Sequence, residues 1–181
     1  MFNLFKKKTG SVKVIDKIWM SEEAKWKGIV NEWKQDPELV IITWFDATYR
    51  HLQTVFAENG LSPVSLFFSR QVNGPEIAGR KIIFAEHYPL PGKEQDAFGR
   101  WKLKEVIVHS AMDEPLFKHF GGDKIIEMMK QLGMKEDGMI MHKMISQAIM
   151  NAQEKIEKKV VTETPANSQE EWLQRNLSLK G

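Results

Sequence analysis

Two hydrophobic rhythms divide this chain. Up to Ser110, short apolar runs rich in β-branched residues alternate with segments of helical spacing, whereas from Glu114 onward apolar residues recur at intervals of three and four. Lys13 to Met20 (KVIDKIWM) alternates and reads as a first strand at an edge of a sheet. Ser21 then caps a helix that carries Glu22 and Glu23 in its first turn and Trp26, Ile29, Val30 and Trp33 on its apolar face. Asp36-Pro37 ends it, because the residue before proline avoids the helical region. Leu39 to Phe45 (LVIITWF) is almost continuously apolar, as a strand covered on both faces must be, and is the candidate for the middle of the sheet. Asp46 is the predicted N-cap of a helix over Ala47 to Asn59 with Leu52, Val55 and Phe56 inward, and Asn59-Gly60 is its left-handed stop. Val64 to Phe68, Lys81 to His87 and Glu105 to Ser110 read as further strands, separated by loops with Pro, Gly and polar residues. The sum is an α/β fold: a three-layer sandwich with a mainly parallel sheet of about five strands.

The second rhythm predicts helices. Ile125, Ile126, Met129 and Leu132 form one stripe closed by Gly133, with Asp123 as the expected cap. Ile140, Met144, Ile145, Ala148, Ile149, Ala152 and Ile156 form another, in a helix of about six turns from near Asp137 to Lys159. Thr162 to Ser168 (TETPANS) reads as a linker, and Gln169 to Leu179 as a short helix whose Trp172 and Leu173 seek a partner surface. The expected organisation is a tail over 1–11, an α/β domain with C-terminal helices over 12–160, and a linker and tail over 161–181.

Composition narrows the function classes. At 181 residues the chain can build one compact domain with a substantial core. No apolar run approaches the roughly 20 residues of a membrane-spanning helix, so a transmembrane segment is not expected. A net charge of +2 is too small to point to nucleic acid as the main partner. The absence of cysteine removes disulfides and thiolate metal sites and fits a reducing cytoplasm, the expected location. Met1 to Lys8 (MFNLFKKK) places its apolar residues before its lysines, the reverse of a secretory signal. It reads as a frayed start in preference to the alternative, a weak interfacial anchor making peripheral contact with anionic lipid.

One stretch resembles a known family. Asp113 and Glu114, the turn from Phe120 to Ile125 (FGGDKI), Met129 with Leu132, Gly133 and Met134, then His142, Lys143 and the run from Ala148 to Lys155 keep one order and spacing. Together, Asp113 to Lys158 resembles the end of the second motor domain of the SecA preprotein-translocase ATPases, running into the start of their scaffold helix. More weakly, Lys34 to Gly60 resembles the opening strand and helix of that domain, and Ile82 to Glu86 followed by His87 resembles a later strand. The resemblance implies a RecA-like (helicase C-terminal-like) fold and a link to protein export.

The family's phosphate-sensing residues are largely missing. Its Ala-Gly-Arg-Gly-Thr-Asp loop is here Ala78-Gly79-Arg80 followed by Lys81 and Ile82. Its later arginine pair has no counterpart except Arg100, and the phosphate-cradling glycine loop of a first motor domain is not found in the chain. Arg80 and Arg100 are the remaining nucleotide candidates, and autonomous ATPase activity is not expected. Glu86 and His87, at the end of a parallel strand, are the ligand candidates. Glu114 beside Asp113 reads as helix-capping chemistry more readily than as a catalytic carboxylate pair. The five histidines show no metal-ligand spacing and no metal site is expected. Among the methionines, Met139 and Met141 are the ones expected at the surface, and with Trp172 and Leu173 they form the partner-binding set.

The expected function is that of a non-catalytic SecA-related binding or regulatory module, without a cofactor, whose partner is a protein or a second copy of the chain. The alternative is a nucleotide-dependent subunit that completes an ATP site in trans with a separate motor domain.

Overall fold

A computed structural model describes residues 12–177. Its centre is a six-stranded sheet made of β1 (Lys13–Trp19), β2 (Val40–Thr43), β3 (Leu66–Phe68), β4 (Ile82–Phe84), β5 (Glu105–Ala111) and β6 (Met139–Ile140), in the order β3-β2-β4-β5-β1-β6. The first five strands are mutually parallel, and β6 runs antiparallel to β1. The described residues also hold seven α-helices, α1 (Glu22–Gln35), α2 (Asp46–Glu58), α3 (Pro91–Arg100), α4 (Pro115–His119), α5 (Gly122–Gln131), α6 (Lys143–Glu157) and α7 (Gln169–Leu177), and two short 3-10 turns at Ser69–Gln71 and Pro75–Ile77. The architecture is an α/β sandwich of the RecA-like kind with a helical extension.

Strand alternation assigns the layers. Ile41 and Ile83 face Ile29, Val30, Leu52 and Phe56 of α1 and α2, while Val40, Ile42 and Phe84 turn to the opposite face and pack on Phe98 of α3. A third cluster joins Ile18, Phe45, Leu116, Ile149, Ile156 and Trp172, and ties α4, α6 and α7 to the sheet. Gly28 lies inside α1 because the indole of Trp19 passes over it. A Cβ there would meet that ring at 2.2 Å.

Several expectations change. β1 is not an edge strand, since the two residues of β6 cover it. β2 is fully buried, yet β4 and β5 hold the middle of the sheet. Residues 91–100 form a helix where Pro91-Gly92 suggested a loop: Pro91 sits in the first turn, where no amide hydrogen is needed. The long C-terminal helix starts at Lys143, because Met139 and Ile140 are drawn into the sheet, and His142 caps it by accepting the Met144 N–H at Nδ1 (3.2 Å). Within that stripe Ile145, Ile149 and Ile156 pack inward, while Met144 is exposed. Asp46 and Asp123 are first-turn residues and not caps. The cap of α2 is Phe45, and that of α5 is Gly121 at φ 89°, a left-handed angle that glycine reaches without strain.

Candidate functional site

Parallel α/β sheets place ligands beyond the C-terminal ends of their strands, where helix N-termini converge. Here that edge is met by the chain's own carboxylates. Glu86 lies two residues past β4 and is buried. Its Oε1 accepts the amide hydrogens of Trp44 and Phe45, both at 3.0 Å, and its Oε2 accepts the Thr48 hydroxyl at 2.7 Å. The carboxylate thus sits at the entry to α2, where the helix dipole favours negative charge. Burial nevertheless pushes its pKa up to about 7, against the downward pull of the Thr48 hydroxyl, Lys25 and the Phe45 amide.

Two neighbouring acids lie at the same edge, and of these only Asp113 accepts a first-turn helix amide. Asp113 Oδ1 accepts the Glu22 N–H at 2.7 Å, the first amide of α1, while Ser21 Oγ accepts that of Ala24. Glu114 precedes α4 and receives both the Ala111 N–H (3.1 Å) and Lys25 Nζ (2.7 Å) on Oε2, within a salt bridge whose partners are each 2% exposed. Breaking such a pair leaves an uncompensated buried charge at a cost of about 3–5 kcal/mol. A pocket of about 350 Å³ remains among Glu22, Lys25, Trp26, Thr48, Glu86 and Glu114, closed on one side by the start of α7.

His87, next to Glu86, faces the other way. Its Nε2 lies 2.6 Å from Asp16 Oδ1 and its Nδ1 2.9 Å from Glu94 Oε1, all three residues being buried. Burial alone would lower the imidazole pKa; the two carboxylates outweigh it and hold His87 well above the ordinary histidine range. Burial likewise works to raise Asp16, and His87 with Ser146 brings it below the usual carboxylate range. Gln153 of α6 donates to Glu94 Oε2 (3.1 Å) and to the Tyr88 carbonyl (2.7 Å). With both ring nitrogens engaged, His87 fastens β1, α3 and α6 together and presents no free nitrogen to a ligand.

The C-terminal segment closes over this same edge. Gln169 accepts the Leu116 N–H (2.7 Å) and donates to the His87 carbonyl (3.2 Å), and Ala47 N–H reaches the Asn167 carbonyl (3.0 Å). Trp172 is 0% exposed, its indole N–H donating to Glu163 at 2.7 Å and its ring meeting Tyr88 edge-on. The expectation that Trp172 is free to seek a partner is therefore corrected: it belongs to the core, and Leu173 is half-buried against it. Met139 and Met141 are exposed, as expected, at 38% and 56%.

Arg80 and Arg100 come together at the opposite edge. They line a groove of about 670 Å³ with Trp101, Lys102 and Lys104, beside the first residues of β4 and β5. The Arg80 guanidinium is already engaged, donating to the carbonyls of Glu38 (2.8 and 2.5 Å) and Glu76 (3.1 Å).

No protein-family model matches the chain. A stretch of 47 residues is 45% identical to the protein translocase subunit SecA of Acinetobacter baumannii, Acinetobacter baylyi and Psychrobacter cryohalolentis. One quarter of this chain is similar to SecA. The match covers 26% of the chain and 5% of the length of each of these relatives.

The SecA similarity thus leaves about three quarters of the chain to be understood from its own residues. Sequence reasoning found Glu86 and His87 from their place at a strand end. It missed Lys25, Asp16 and Glu94, which complete their surroundings. Lys25 follows two glutamates at the start of an amphipathic helix and reads as a solvated residue; only the fold brings it to Glu114, 89 positions away. Asp16 alone carried a signal, as an acid at an inward position of an otherwise apolar alternation.

Proposed function

We propose that this protein is a non-catalytic SecA-related module that binds or regulates a protein partner in the cytoplasm, in a role linked to protein export. The observation that carries this reading is the state of the C-terminal sheet edge. Glu86, Asp113 and Glu114 occupy the helix entries where a nucleotide phosphate would be held, and α7 lies across them. A polyphosphate entering there would meet like charge in a partly desolvated setting, which disfavours it strongly. Arg80 and Arg100, the candidates for contacting phosphate, lie at the far edge. In this reading the segment similar to SecA is a remnant of a second motor domain that serves as scaffold. Met128, Leu132, Met139, Met141 and Met144, on α5, β6, α6 and the turns beside them, are each exposed, and such side chains suit an adaptable protein contact. The partner is a translocation ATPase, an exported polypeptide or a second copy of the chain. No helix among the described residues is long and apolar enough to cross a membrane. The anchor considered for Met1 to Lys8 lies outside the described residues. ATP hydrolysis assayed on the purified chain tests the reading: no turnover is expected, and turnover abolished by Arg80→Ala or Arg100→Ala would overturn it.

A second reading, completion of an ATP site in trans, draws on the fact that Arg80 and Arg100 share one groove. It requires hydrolysis by a separate motor subunit to rise on mixing with this chain, and the rise to disappear with Arg80→Ala.

A further inference from the structure

The N-terminal edge of the sheet carries the opposite charge to the C-terminal one. Arg80, Arg100, Lys102 and Lys104 line its groove of about 670 Å³ against a single acid, Glu105, whose carboxylate is paired with Lys13 at 2.6 Å. Arg80 donates to backbone carbonyls and has a Glu38 carboxylate oxygen at 3.8 Å. Arg100, Lys102 and Lys104 are exposed, and no ion pair or side-chain hydrogen bond among the described residues engages them. The C-terminal end of the α3 dipole accounts for Arg100. It does not account for Lys102, which at φ 55° is the one non-glycine residue at positive φ among the described residues. Lys102 N–H reaches the Gly99 carbonyl (3.1 Å) and Leu103 N–H the Phe98 carbonyl (3.0 Å), the closure of a helix that glycine makes without strain and lysine only at a cost. A strained backbone position thus holds a charge that nothing in the described chain balances.

The chain enters the described residues at this same edge. Lys13 N–H donates to the Lys104 carbonyl at 3.1 Å, and Val12 N–H to Gln95 Oε1 of α3 at 3.3 Å. Upstream the sequence runs Phe2, Leu4 and Phe5, then Lys6, Lys7 and Lys8. Four peptide units separate Lys8 from Val12, so covalent geometry keeps Lys8 within about 14 Å of it, at the groove's side of the molecule.

We propose that this edge docks on an anionic membrane surface, with Arg100, Lys102 and Lys104 against the lipid phosphates and Phe2, Leu4 and Phe5 in the interface. Three apolar residues and three lysines anchor only marginally by themselves; firm attachment takes a second signal, and a basic patch on the folded domain is such a signal. Each lysine or arginine held near an anionic leaflet adds its own increment. The half-buried indole of Trp101 lines the same groove, a side chain suited to the headgroup level. An acidic polypeptide would satisfy the basic residues and give the apolar run at Phe2 to Phe5 no role, which is why the membrane is the favoured occupant. The inference goes beyond the proposed function and rests on neither of its readings.

Flotation of the full chain with vesicles tests it, using phosphatidylglycerol and phosphatidylcholine in equal parts beside phosphatidylcholine alone. The chain is expected to float with the anionic vesicles only and to be released by raised salt. The Arg100→Gln, Lys102→Gln, Lys104→Gln triple variant changes exposed side chains and is expected to weaken vesicle binding about a hundredfold. Lys102→Gly relieves the left-handed angle, so its expected loss of about fivefold comes from charge and not from unfolding. The Phe2→Ser, Phe5→Ser double variant is expected to weaken binding about tenfold. Absence of flotation, equal flotation with phosphatidylcholine alone, or equal binding by the triple variant would overturn the proposal. Saturable binding of hexaglutamate by a chain that ignores anionic vesicles would overturn it in favour of an acidic polypeptide. None of these outcomes bears on ATP hydrolysis, which is assayed without lipid.

Discussion

At the scale of single residues, Glu86 concentrates the account. It performs a structural task, accepting two amide hydrogens and a hydroxyl, in a setting that penalises its charge. Its folded-state pKa of about 7 lies above the ordinary 4.5, so the folded form binds the proton more tightly than the unfolded one. The stability linked to this group is fully present below about pH 4.5 and is lost as pH rises through about 7. Glu86→Gln keeps an oxygen for the two amides and abolishes the titration. In paired denaturant unfolding, the stability of the unmodified chain relative to Glu86→Gln is expected to fall between pH 4.5 and 8 by an amount on the order of 3 kcal/mol. A difference independent of pH would show that Glu86 does not titrate in that range. Asp16 and His87 act from two sides. The Asp16 contribution is lost as pH falls through its depressed value, and that of His87 as pH rises through its elevated one, so their contact is strongest between them.

At the scale of elements, what the sequence revealed depends on how local the signal is. α1 and α2 were legible from Ser21, Asp36-Pro37 and Asn59-Gly60, because caps and stops act within a few residues. α3 was not, because Pro91-Gly92 carries a turn signal that a helix start satisfies equally well. β6 escaped because a two-residue strand has no periodicity, and its pairing partners Ile18 and Trp19 are remote in sequence. α7 was placed correctly as a helix but wrongly as a free one. Its Trp172 packs against Tyr88 and the cluster of Phe45, Leu116 and Ile156, contacts that only the tertiary fold supplies. Trp172→Ala is accordingly expected to destabilise the whole domain by about 3–5 kcal/mol, visible as a lowered denaturant midpoint. A midpoint unchanged within error would return α7 to the role of a detachable tail.

At the scale of the whole molecule, the alternation of apolar runs with segments of helical spacing made the α/β architecture legible from sequence, and Leu39 to Phe45 demanded cover on both faces. The candidate site was legible in position and not in character. Glu86 was singled out from its place at the C-terminal end of a strand, but the charges around it, from Lys25 and Glu114, arrive from distant parts of the chain. Met128, Met139, Met141 and Met144, in the C-terminal part of the chain, are each exposed. The most direct test of the central claim is equilibrium binding of Mg-ATP to the full chain. The filled, acidic edge predicts no saturable binding at millimolar nucleotide; saturable binding that disappears in Arg80→Ala or Arg100→Ala would contradict it.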